Sequence, residues 1–133
     1  MKTKYLLILL LILITTTLSG CGRENDSSYS GYSKLTAKEA KEMMDDDSSI
    51  TILDVRTEEE YKTGHIEGAI LIPDTEILEK AEESLTDKSA TILVYCRSGR
   101  RSALAAADLV ELGYLKVYDF GGIIDWEYDI VTE

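Results

Sequence analysis

The stretch Tyr95-Cys96-Arg97-Ser98-Gly99-Arg100-Arg101-Ser102 holds the residue types best suited to chemistry: a thiol, then three guanidinium groups within five residues. An unperturbed cysteine of pKa ~8.5 is only about 3% thiolate at pH 7, so it is a poor nucleophile at rest. Lowering that pKa by ~2 units, within the range found at helix N-termini or beside arginine, makes it mostly thiolate. Gly99 lets the backbone turn without a Cβ clash. Successive N–H groups of such a turn can converge on one point, and a following helix adds positive partial charge. Arg97, Arg100 and Arg101 can gather an anionic substrate and stabilise charge on sulfur. Cys96 is therefore the candidate nucleophile, and Arg97, Ser98, Gly99, Arg100 and Arg101 the candidate substrate-binding loop.

Blander roles compete at each position. A cysteine that ends a buried strand is often a small core hydrophobe, but here polar and cationic residues follow it. Loop arginines can simply offset an acidic surface, and Arg101 is the one that fits this best. Asp54 and Arg56 flank Val55 at a strand end, where an ion pair steering a loop competes with a catalytic role. His65 is the sole histidine, expected in a turn, and Cys96 has no C-x-x-C partner, so neither a metal site nor a cofactor is expected.

The elements that must position this loop follow from short apolar runs alternating with helical segments. Thr36-x-x-Glu39 is a capping box that predicts a helix to about Asp45, and Thr57-x-x-Glu60 predicts another ending near Gly64. Buried strands are expected over 50–55 (ITILDV) and 91–95 (TILVY), with shorter ones over 69–72 and 116–120. Helices are expected from Asp74 or Thr75 to Leu85 and from Ser102 to Leu112, the latter stopped by Gly113, with a helical start to the tail at Ile123. This alternation predicts an α/β fold, a mostly parallel sheet covered on both faces by helices. Ligands of such sheets lie beyond the carboxyl ends of the strands, and Cys96 falls there, directly after TILVY.

At 133 residues, 44% of them hydrophobic, the chain suits one domain with a packed core. Its net charge of −11 excludes nucleic acid as the default partner. Residues 1–20 carry only Lys2 and Lys4 as charges, ahead of an unbroken apolar run from Leu6 to Ile14. A bilayer span takes roughly 20 apolar residues, so this run predicts a cleaved leader rather than a permanent helix. Leu18-Ser19-Gly20-Cys21 resembles a bacterial lipobox, which implies lipidation of Cys21 and anchoring to the bilayer on the extracytoplasmic side, at the cell surface or in the periplasm. Residues 21–32 are expected to be a flexible tether and 33–133 the folded domain. With Cys21 lipidated, Cys96 is the only thiol left, and no internal disulfide can form.

The chain resembles the rhodanese family of sulfurtransferases, as a single-domain member. The matching residues are Leu53-Asp54-Val55-Arg56, Glu60-Tyr61, Gly64-His65-Ile66-Glu67-Gly68-Ala69 and Ile72-Pro73. They continue with Val94 through Ala103, Gly121-Gly122 and Trp126. The family often has Pro where Glu67 stands and Asn where Arg100 stands. Neither change removes a group its chemistry requires. The resemblance implies a three-layer α/β/α fold with a sheet of about five strands. It implies that Cys96 takes a sulfane sulfur from thiosulfate or a persulfide donor and hands it to a thiophilic acceptor, with Asp54 and Arg56 supporting the loop and Trp126 packing. Two rivals stand beside it. Cys-dependent phosphatases and arsenate reductases of related folds use Cys-x5-Arg, but Ser102 occupies that arginine's position and Arg101 comes one place early. Rhodanese-like modules also exist as sulfur carriers or protein-binding domains without turnover.

Overall fold

The computed structural model describes residues 31–133. The expected leader over 1–20, Cys21 and all but the last two residues of the expected tether lie outside the described residues. Among the described residues no helix is long and apolar enough to cross a membrane.

Five parallel strands form one sheet in the order β1-β5-β4-β2-β3. They are β1 (Ser33–Lys34), β2 (Thr51–Asp54), β3 (Ile70–Leu71), β4 (Thr91–Cys96) and β5 (Lys116–Gly122). The helices are α1 (Ala37–Asp46), α2 (Glu58–Thr63), α3 (Ile77–Ser84) and α4 (Arg100–Glu111), with single 3-10 turns at Asp74–Glu76 and Ile123–Asp125. Both expected capping boxes form. The Thr36 hydroxyl accepts from the Glu39 N–H at 3.2 Å and the Glu39 carboxylate accepts from the Thr36 N–H at 2.7 Å, closing two orphan donors at once. Thr57 and Glu60 repeat the arrangement at the start of α2.

The sheet is covered on both faces, which explains the unbroken apolar runs of β2 and β4. On one face Ile92, Val94 and Cys96 of β4 join Leu53, Val55 and Val117 beneath Ile77 and Ala81 of α3 and Ala105, Ala106 and Leu109 of α4. On the other, Leu93 and Tyr95 pack with Ala40 of α1, Ile66, Phe120 and Trp126. Strand β4 is central, so the end that carries Cys96 opens between β2 and β5.

The chain departs from its sequence pattern at the edges of elements. Strand β1 has only two residues, too few to show a period. Helix α4 begins at Arg100 rather than Ser102, because Gly99 adopts φ +100° and turns the chain into the helix early. Strand β5 runs on to Gly122 rather than stopping at Phe120. Val94 pairs with Asp119 but Cys96 with Gly122, so β5 carries one extra residue there, a bulge. Gly121 takes φ +86° in that bulge, and its N–H donates to the Asp119 carboxylate at 3.0 Å. The bulge thereby sets Gly122 directly opposite Cys96.

Candidate active site

Cys96 ends the central strand with 1% of its surface exposed, and its thiol is free. The Gly99 N–H donates to Sγ at 3.0 Å, and the thiol donates to Ser102 Oγ at 3.6 Å. Burial pushes the Cys96 pKa up, but hydrogen bonds from the Ser102 hydroxyl and from the backbone N–H groups of Ser102, Gly99 and Ser98 outweigh it. The net result is a thiol that ionises below its ordinary range. Of the amides in the strand-to-helix turn, the Gly99 N–H is the one bonded to the sulfur, from a residue that holds a left-handed φ.

The loop lies tightly on β5. A Cβ at Gly122 would sit 2.2 Å from the Arg97 carbonyl oxygen and 2.6 Å from Ser98 Cα, so only glycine admits the approach. The Ile124 N–H donates to that same Arg97 carbonyl at 3.3 Å.

The three loop arginines separate into two kinds. Arg97 and Arg100 are exposed and, among the described residues, neither guanidinium has an ion-pair partner. Arg101 is held by Glu60 of α2 through two hydrogen bonds of 2.8 Å, one to each carboxylate oxygen. This is the charge-offsetting role weighed for Arg101 from sequence, though its charge still acts on Cys96. Arg101 holds the Glu60 carboxyl well down, to about 2.

Asp54 and Arg56 form a buried pair at the end of β2, with Asp54 0% exposed. Arg56 Nε donates to both Asp54 oxygens at 3.0 Å and Nη2 to Oδ2 at 2.6 Å. Nη2 also donates to the Gly64 carbonyl at 2.7 Å, gripping the C-terminus of α2. A chain of contacts runs from this pair to the loop: Asp54 bonds Arg56, Arg56 bonds the end of α2, and Glu60 of α2 bonds Arg101. His65 is buried, stacked on the Tyr61 ring at 3.6 Å, and bridged by its backbone to Val131. Trp126 packs against Phe120 and Tyr128. A separate groove of about 740 Å³ lies between α1 and the C-terminal segment, floored by Met44, Ile52, Ile66 and Trp126, and Cys96 does not line it.

Cys96 thus stands at the carboxyl end of a central parallel strand with the Gly99 N–H on its sulfur, and residues 36–129 match the rhodanese-like domain. The chain belongs to the rhodanese-like family. Thiosulfate sulfurtransferase PspE of Escherichia coli K12 is 42% identical over 73 residues, which cover 55% of this chain and 70% of that protein. The putative sulfur carrier protein YrkF of Bacillus subtilis is 35% identical over 106 residues, covering 79% of this chain but only 56% of the relative. Among solved structures, a rhodanese from E. coli with bound anions superposes with a TM-score of 0.60 at 38% identity, covering 63% of this chain and 99% of that one. A rhodanese-related protein from Thermoplasma volcanium gives 0.67 at 33% identity, covering 77% and 100%. The fold is that of rhodaneses, and named sulfurtransferases and a named sulfur carrier are both among the relatives.

Three residues of the site matched the family in sequence but were given no role there. Glu60 read as a helix cap, Ser102 as the start of a helix, and Gly122 only as part of a matching pair. Each acts through a neighbour distant in sequence: Arg101 for Glu60, Gly121 for Ser102, and the Arg97–Ser98 backbone for Gly122.

Proposed function

We propose that this chain is a sulfurtransferase that moves a sulfane sulfur from thiosulfate or a persulfide donor to a thiophilic acceptor through a persulfide on Cys96. The observation that carries this reading is the Gly99 N–H directed at Cys96 Sγ at 3.0 Å, in a stretch whose Arg97 and Arg100 are exposed to solvent. The thiolate attacks the outer sulfur of thiosulfate, the S–S bond of the donor breaks, and sulfite leaves with the electron pair. Cys96 is left as a persulfide anion whose charge the loop amides and Arg101 can hold. An acceptor such as cyanide then takes the outer sulfur, forming thiocyanate and restoring the thiolate, which gives ping-pong kinetics. The clamped Arg101 supports the preference for sulfur over phosphate. In this short loop the arginine nearest the phosphatase position is occupied by Glu60.

Intact mass of the full chain after mixing with thiosulfate tests the reading. The expected result is a gain of one sulfur atom, removed by cyanide and absent in Cys96→Ser. A stable adduct that no acceptor discharges would instead mark a carrier, the name borne by one relative. No adduct with any sulfane donor would favour a binding module. We also propose that Cys21 is lipidated and anchors the domain on the extracytoplasmic side.

A further inference from the structure

Ser102 sits in the first turn of α4 with 0% of its surface exposed, and its hydroxyl proton is oversubscribed. Three acceptors lie within reach: the Gly99 carbonyl at 3.1 Å, the Gly121 carbonyl at 3.3 Å and Cys96 Sγ at 3.6 Å. One hydroxyl carries one proton. While Cys96 is neutral, its S–H donates to Ser102 Oγ, and the serine proton must point to a carbonyl. Once the sulfur is anionic, it becomes the strongest acceptor of the three, because hydrogen bonds to charged groups are roughly twice as strong as neutral ones. Leaving Gly99 orphans nothing, since that carbonyl also accepts from the Ala103 N–H at 3.3 Å.

We propose that Ser102 is a switching donor: its hydroxyl turns from the Gly99 and Gly121 carbonyls onto Cys96 Sγ whenever that sulfur carries negative charge. The thiol proton goes to solvent and the serine proton merely reorients, so the switch needs no further reactant. Its catalytic consequence rests on the sulfur-transfer reading above. During discharge, cyanide bonds to the outer sulfur, the S–S bond of the persulfide breaks, and Cys96 leaves as a thiolate. A leaving sulfur departs faster when its pKa is low, whereas an attacking thiolate gains nucleophilicity as its pKa rises. Ser102 therefore assists discharge and slightly restrains the attack of the formed thiolate on the donor.

The test is Ser102→Ala in the full chain, with the Cys96 pKa read from the pH dependence of iodoacetamide alkylation. Arg97, Arg100 and Arg101 on the loop side, Glu60 of α2 and Asp119 of β5 remain in place, so the hydroxyl is the variable. The pKa is expected to rise by about one pH unit, a tenfold loss of thiolate below both values. Above both values, loading by thiosulfate is expected to be unchanged or up to about 3-fold faster, while discharge to cyanide falls about 3-fold or more. Ser102→Thr is expected to retain the parent values. Should the alanine variant fail to fold, Ser102→Thr against the isosteric Ser102→Val reads the same difference. An unmoved pKa, equal slowing of both half-reactions, or a folded threonine variant that behaves like alanine would overturn the proposal. If the parent takes no sulfur from any donor, the sulfurtransferase reading fails, while the alkylation profile still decides the role of Ser102.

Discussion

At the scale of single residues, the candidate site holds its cations in different ways. Arg101 is bound by both carboxylate oxygens of Glu60, whereas Arg97 and Arg100 stand exposed beside Cys96 in sequence. Unpaired guanidiniums act on the charge of an approaching anion, so replacing Arg97 and Arg100 with Gln is expected to weaken use of dianionic thiosulfate by about 10-fold. Use of a neutral sulfane donor should fall much less. Steady-state kcat/KM for the two donors checks this, and equal losses would remove the electrostatic role. A second expectation concerns the close approach at Gly122. Gly122→Ala puts a methyl 2.2 Å from the Arg97 carbonyl, so the loop must shift. Sulfur loading is expected to drop at least about 10-fold, since a displacement near 1 Å can cost as much as 100-fold. Stopped-flow release of sulfite measures it, and circular dichroism shows whether the fold persists. The thiol, its glycine and its arginines could be read from the chain because they are contiguous. Gly122 could not, because its importance comes from a bulge that brings β5 against a loop some twenty-five residues earlier.

At the scale of elements, α2 is a short helix that transmits order from β2 to the loop. Its start is capped by Glu60, its end is gripped by Arg56, and Glu60 also clamps Arg101. The folded Glu60 pKa of about 2 lies below its ordinary 4.5, so the clamp stabilises the fold fully above about pH 4.5 and loses that contribution as the pH falls towards about 2. Glu60→Gln keeps the capping acceptor while removing the charge. It is expected to cost about 1–2 kcal/mol at neutral pH, allowing for the pair's partial contact with water, with the gap closing towards pH 2. Urea unfolding of both proteins across that range tests the sign, and a gap independent of pH would rule out the ionic origin. The alternation of strands and helices was plain in the apolar runs and the two capping boxes. What the pattern could not carry was the second use of a capping glutamate, since local spacing accounts for it completely.

At the scale of the whole molecule, a chain of net charge −11 carries three arginines in the five residues after Cys96, and the attachment we propose falls towards the other end of the sequence. For the lipidation we propose, Cys21→Ser is expected to leave an uncut, unlipidated precursor whose Cys96 chemistry is unchanged. Detergent phase partition together with intact mass checks this, and a Cys21–Cys96 disulfide would overturn it. That expectation came from the leader sequence alone, because residues 1–30 lie outside those described. The depth of Cys96 has a consequence for the company the protein can keep. A disulfide requires two sulfurs about 2.05 Å apart, and a cysteine residue only 1% exposed in the folded chain does not come so near its equally buried twin on another copy. Burial thus keeps Cys96 of one copy from pairing with Cys96 of another. The persulfide we propose would lengthen the side chain by one S–S bond, again about 2.05 Å, so the outermost atom would be the one delivered rather than the one that stays behind.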